Sequence, residues 1–157
     1  MAISVYLDDS SDFGLTDVEL YHKLLMDCIG AIGVVGECEC YLSFISAEAM
    51  AELNKAHMGK DGPTDVLSFA VSFEPEFDLA IPRILGEIMI CPEVAAANAG
   101  DHSDEDHDGS LGDEIALLVV HGLLHLSGMD HEIESEALVM EAAEAKLLGE
   151  FYRRRSA

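Results

Sequence analysis

The amino-acid sequence predicts an α+β fold in a single domain over residues 1–157. Three observations carry this. Four short apolar segments read as strands and about five longer ones as helices. Their order calls for both parallel and antiparallel pairing, hence a mixed sheet. One helical segment, Ile115–Leu126, is apolar around most of its circumference, which places it centrally.

In order along the chain, Ile3–Leu7 is short, apolar and β-branched, a first strand. Thr16-Asp-Val-Glu19 has the form of a capping box and opens a helix. Leu20, Leu24, Cys28 and Ile32 recur every four residues, and Gly33 and Gly36 end that helix. Cys38, Cys40, Leu42 and Phe44 alternate with polar positions and form a second strand. Ser46 caps a helix to about Ala56 that buries Met50 and Leu53. His57–Thr64, with Gly59, Gly62 and Pro63, is loop. Val66–Phe73 is apolar on both faces, as a central strand is.

Glu74–Arg83 carries Pro75 and Pro82 and is a connection to a fourth strand, Ile84–Cys91. No helix joins these last two strands, so they pair antiparallel, whereas the two earlier helical crossovers predict parallel pairing. Pro92 suits the first turn of a helix that stops at Gly100. Asp101–Asp108 is strongly acidic and lacks a calcium-loop glycine spacing. It predicts a solvated surface loop whose His102 and His107 are not ligands. Ser110-Leu-Gly-Asp113 opens the central helix, and a last helix runs from about Ile133 to Leu148. The chain ends on its main basic cluster, Arg153-Arg154-Arg155.

Half the residues are apolar, which excludes a disordered chain. The first residues lack the pattern of a signal peptide, and the longest apolar run is too short to span a bilayer, so a soluble cytoplasmic protein is expected. Cys28, Cys38, Cys40 and Cys91 form no C-x-x-C pair and read as structural thiols, not a disulfide framework. Thirty-one acidic residues against eight basic ones give a formal net charge of −23. Such a chain repels nucleic acid at long range, so composition by itself leads away from an RNA substrate. The same excess suits solubility in a salty cytoplasm.

The chemistry lies in His121-Gly-Leu-Leu-His125-Leu-Ser-Gly128-Met-Asp-His131. On a helix His121 and His125 are i and i+4 and share a face, about 6 Å apart. Gly128 can take a positive φ, end the helix and return His131 to the same point. Three neutral imidazoles suit one Zn²⁺ per chain at about 2.0–2.1 Å and leave a coordination position open. Ni²⁺, Cu²⁺ and Fe²⁺ also accept such a set. The spacing is similar to that of the metzincin proteases, H-E-x-x-H-x-x-G-x-x-H. Their glutamate base is replaced here by Gly122, which argues against peptide hydrolysis.

Taken whole, this segment resembles the YbeY family of bacterial endoribonucleases and rRNA maturation factors, H-G-x-L-H-L-x-G-x-D-H, at every fixed position. Leu53-Asn54, Asp61-Gly-Pro63-Thr64-Asp65-Val66-Leu67-Ser68-Phe69 and Leu85-Gly86-Glu87-Ile88 extend the likeness from about Leu53 to Glu132. The resemblance implies a single α+β domain with a mixed four-stranded sheet and zinc on His121, His125 and His131. It implies a single-strand-specific endoribonuclease in 16S rRNA 3′-end maturation and ribosome quality control. It also implies ribosomal proteins and a ribosome-associated GTPase as partners.

One position departs from the pattern. Where the family often carries an arginine important for catalysis stands Met58, with Lys60 two residues on as a substitute cation. His57 and Asp65 flank the loop expected to face the metal and are the candidate bases, while Asp130 is expected to orient a ligand imidazole. Two rivals stand beside the nuclease: a metal-stabilised assembly factor that does not cut, and a zinc peptidase with another base.

Overall fold

The structure, a computed structural model, describes residues 3–34, 36–71, 83–104 and 106–153. The expected connection over 74–82, Phe73, and the terminal Arg154 and Arg155 lie outside the described residues. The fold is α+β, with a mixed four-stranded sheet and five α-helices.

The strands are β1 (Ile3–Asp9), β2 (Cys38–Phe44), β3 (Val66–Ala70) and β4 (Arg83–Ile90), in the spatial order β1-β2-β4-β3. The helices are α1 (Val18–Ala31), α2 (Ala47–Met58), α3 (Pro92–Asn98), α4 (Leu111–Leu126) and α5 (Glu134–Leu148). β1 and β2 are parallel with Val5 opposite Cys40, as the α1 crossover predicts. β2 and β4 are also parallel, and the register slips between Glu39 and Cys40, where β4 carries one extra residue. β3 and β4 are antiparallel with Ser68 opposite Ile88.

Two sequence expectations fail here. The α2 crossover does not pair β3 with β2, because β4 lies between them and β3 runs the other way. β3 is therefore an edge strand, not a central one. It is apolar on both faces because helices cover both. Val66 packs on the main core, and Ser68 donates a hydrogen bond to the Gly122 carbonyl of α4 at 3.3 Å. Leu67 and Phe69 face the other way, into a second cluster with Met50 of α2 and Cys91. A strand sandwiched between helices reads like one sandwiched between strands, since side chains report the faces and not the edges.

Local signals at the helix ends mostly hold. Ser46 and Ser110 accept the backbone N–H of Ala49 and Asp113, each at 3.1 Å. The box at Thr16 does not form: Asp17, at φ 60°, occupies the cap position itself and makes no side-chain cap bond, so Thr16 lies outside the first turn. α4 is the spine of the molecule. Ile115, Ala116, Val119, Val120 and Leu123 are all fully buried among α1, α3, α5, β3 and β4. All four cysteines are free and buried, and burial pushes the Cys28 and Cys40 thiols up to about 12. That suits packing, not redox chemistry.

Candidate metal centre

α4 aims its two histidines from its last two turns. It ends at Leu126, where Gly128, at φ 104°, donates its N–H to the His125 carbonyl at 3.0 Å. The Met129 N–H then bonds back to Leu124 at 3.0 Å, and the reversed chain delivers His131. Asp130 acts here, although not as expected: its Oδ1 accepts the backbone N–H of His131 at 2.7 Å and fixes the turn, not an imidazole ring.

The three rings converge. Their centroids lie 4.6 Å apart for His121 and His125, 5.1 Å for His125 and His131, and 5.4 Å for His121 and His131. One nitrogen from each lies within 4.8 Å of the other two. His121 Nδ1–H donates to Glu144 Oε1 of α5 at 2.5 Å, and His125 Nδ1–H donates to the Met129 carbonyl at 3.1 Å. Committing both Nδ1 protons outward leaves both Nε2 atoms as acceptors, and these face each other at 3.0 Å. Two lone pairs at that distance repel unless a cation lies between them, so the donor set fits a metal. Burial, then the neighbouring His121 and His131, lower the His125 pKa below the ordinary histidine value. The ring is thereby kept neutral, the form a metal takes.

Gly122 explains itself on packing. A Cβ there would sit 2.7 Å from Ile88 Cγ2 and 3.1 Å from Ser68 Oγ. The position faces the sheet, and α4 approaches it closely because no side chain intervenes.

Of the three candidate catalytic residues, Asp65 shares a cavity with one of the converging histidines, His121. It lines a cavity of about 200 Å³ with His102, Glu114, Leu118, His121 and Glu144. Its backbone carbonyl accepts Cys91 N–H at 2.9 Å, fixing it at the start of β3. His57 and Lys60 do not line that cavity. The His57 ring packs edge-on against Phe69 at 5.0 Å, and Lys60 is exposed on the loop after α2. Buried Asn54 holds that loop by donating to the Gly62 carbonyl at 2.8 Å.

Sequence reasoning missed two carboxylates. Glu144 left no periodic signal, because α5 is weakly amphipathic. Glu114 did leave one: it is a charged residue opening an apolar helix, two turns before His121. It is fully buried. His102 Nδ1 donates to both its oxygens, at 2.9 and 2.8 Å, and His107 Nε2 donates to Oε1 at 3.0 Å. The acidic loop is thus solvated only in part. Asp101, Asp104, Asp106 and Asp108 are exposed, but His107 is 4% exposed and both histidines anchor the loop to α4.

An α+β domain whose central helix supplies two of three converging imidazoles defines the class, that of a domain with a candidate metal-binding site. A family model described as endoribonuclease YbeY matches residues 9–152. The endoribonuclease YbeY of Geobacillus thermodenitrificans is 33% identical over 151 residues, covering 93% of this chain and 94% of that one. That of Moorella thermoacetica is 39% identical over 132 residues, 81% of each chain. The solution structure of TM1509 from Thermotoga maritima aligns over 93% of this chain and 90% of that one, with a TM-score of 0.56 and 24% identity, a likeness of fold. The chain belongs to the YbeY endoribonuclease family.

Proposed function

We propose that this protein is a zinc-dependent endoribonuclease that cuts single-stranded RNA, in the cytoplasm, in maturation of the 16S rRNA 3′ end and in ribosome quality control. Ribosomal proteins and a ribosome-associated GTPase belong to the same reading as partners. Family membership supports the substrate class. One observation carries the metal: the Nε2 atoms of His121 and His125 face each other at 3.0 Å with both Nδ1 protons committed elsewhere.

His121, His125 and His131 would hold one zinc ion. When bound, zinc supplies Lewis acidity to a phosphoryl oxygen and makes a nearby water more acidic, toward a pKa of about 7. The protein does the rest. Glu144 and the Met129 carbonyl hold two ligand rings in the required tautomer and orientation. Asp65, in the same cavity as His121, is the candidate that reaches the reacting phosphate and its water. His57 and Lys60, exposed at and just after the C-terminus of α2, are placed to contact the RNA strand.

The peptidase reading loses ground for a reason beyond a missing base. A glutamate at position 122 would force Ile88 to shift, since its Cβ would sit 2.7 Å from Ile88 Cγ2. Zinc-loaded protein is incubated with a short single-stranded RNA and, separately, with casein. RNA cleavage that stops on chelation, with casein intact, is expected. Chelator-sensitive casein hydrolysis with RNA spared would overturn the reading, and zinc-loaded protein that cuts neither would favour the assembly factor.

A further inference from the structure

We propose that His102, held by Glu114, is the proton acceptor for the attacking water in RNA cleavage; this rests on the endoribonuclease reading above. The observations concern geometry. His102 Nδ1–H is committed to the carboxylate of Glu114, which is wholly buried in α4 and contacted by two imidazoles. The second imidazole, His107, has no nitrogen to spare: its Nδ1 accepts the Gly109 N–H at 2.9 Å, and its Nε2 donates to Glu114. His102 differs. Its side chain is 47% exposed, and its Nε2 makes no hydrogen bond to a described residue. The ring lines the same cavity as Asp65, His121 and Glu144. A ring on the wall of a cleft, with a carboxylate on Nδ1 and no described partner on Nε2, is the arrangement of a general-base histidine, its tautomer set by the buried acid.

The step balances without a further reactant. His102 Nε2 takes a proton from water as the water oxygen bonds to phosphorus. The bond from phosphorus to the leaving ribose oxygen breaks, and that oxygen takes up a proton from the imidazolium or from solvent. Glu114 stabilises the imidazolium while it exists. The hydrogen bond to Glu114 raises the His102 pKa, opposed by partial desolvation and helped by the charges of Glu114, Asp65 and Asp101. Glu144 on α5 and His121 on α4 also line the cavity, and His107 on the loop shares Glu114 with His102. Asp65, on the wall of the same cavity, then orients the water and leaves the proton to His102.

The test uses the full chain loaded with zinc. His102→Gln keeps an N–H for Glu114 but cannot accept the proton. It is expected to lower kcat by about 10²–10⁴-fold, with KM and bound zinc within about twofold of wild type. His102→Ala is expected to lose as much and to regain about tenfold or more when imidazole is added to the buffer. A His102→Gln variant that cuts as fast as wild type overturns the inference. So does loss of bound zinc from both variants, or activity destroyed by Asp65→Asn and spared by His102→Gln. Wild-type protein that holds zinc and leaves RNA intact fails the endoribonuclease reading itself, and this inference with it.

Discussion

Two histidine clusters with opposite fates sit at the two ends of α4. Near its C-terminal end, His121, His125 and His131 turn their free nitrogens toward one another, with no carboxylate between them. Near its N-terminal end, His102 and His107 each turn one nitrogen onto a single carboxylate, Glu114. The residue type is the same, and what stands opposite decides the chemistry. Imidazoles that face only one another form a donor set that fits a cation, while imidazoles that share a buried acid satisfy that acid and fasten a loop. The two clusters meet in one cavity, where His121 and His102 are both on the wall.

Removing the acid is expected to have the largest effect on stability. Glu114→Ala leaves the buried N–H of His107 without its partner and a void in α4, at a cost of about 3 kcal/mol. Denaturant unfolding of the zinc-loaded protein measures this, and a change below about 0.5 kcal/mol would show that the N-terminal cluster is not holding the loop.

At the other cluster the carboxylate lies outside the ring of three histidines. Glu144→Gln is expected to keep the fold and weaken zinc binding by about 10–100-fold, measured by chelator competition. Unchanged affinity would mean that Glu144 does not set the His121 tautomer.

Between the clusters and the sheet, Gly122→Ala drives a methyl group against Ile88 and is expected to cost about 1–3 kcal/mol, read by thermal unfolding. Failure to destabilise would show that α4 can lift off β4 without penalty, and with it that the site's placement is loose.

The smallest effect is on pH. The folded pKa of His102 is raised above 6.5, first by its hydrogen bond to Glu114. Its contribution is therefore present below about pH 6.5 and lost as pH rises through the folded value. The melting temperature of wild type should carry a declining component over that window, absent from His102→Gln. An identical profile in both proteins would remove the coupling between loop and helix.

The sequence made the C-terminal cluster legible and left the N-terminal one hidden, for a physical reason. His121, His125 and His131 are placed by local rules, helical period and one glycine turn, so spacing alone predicts their convergence. The bond from His107 to Glu114 is short in sequence, but a charge-rich loop hides an inward-facing histidine, because composition reports the solvated majority. Glu144 comes from another helix and depends on how α5 packs. Strand identity was readable from alternation, as at Cys38–Phe44, yet strand order was not: β3 looked central because α2 and α4 cover its two faces.

Zinc stoichiometry, measured by elemental analysis on wild type and on His125→Ala, tests the difference between the two clusters most directly. His107, Asp108 and Asp113 also bring potential ligand atoms within 4.8 Å of one another, but their hydrogen bonds already occupy them with Gly109, Ser110, Asp108, Tyr152 and Glu114. About one equivalent of zinc in wild type, and almost none in a folded His125→Ala, is the expected result. A full equivalent that survives His125→Ala would place the metal elsewhere and contradict the account.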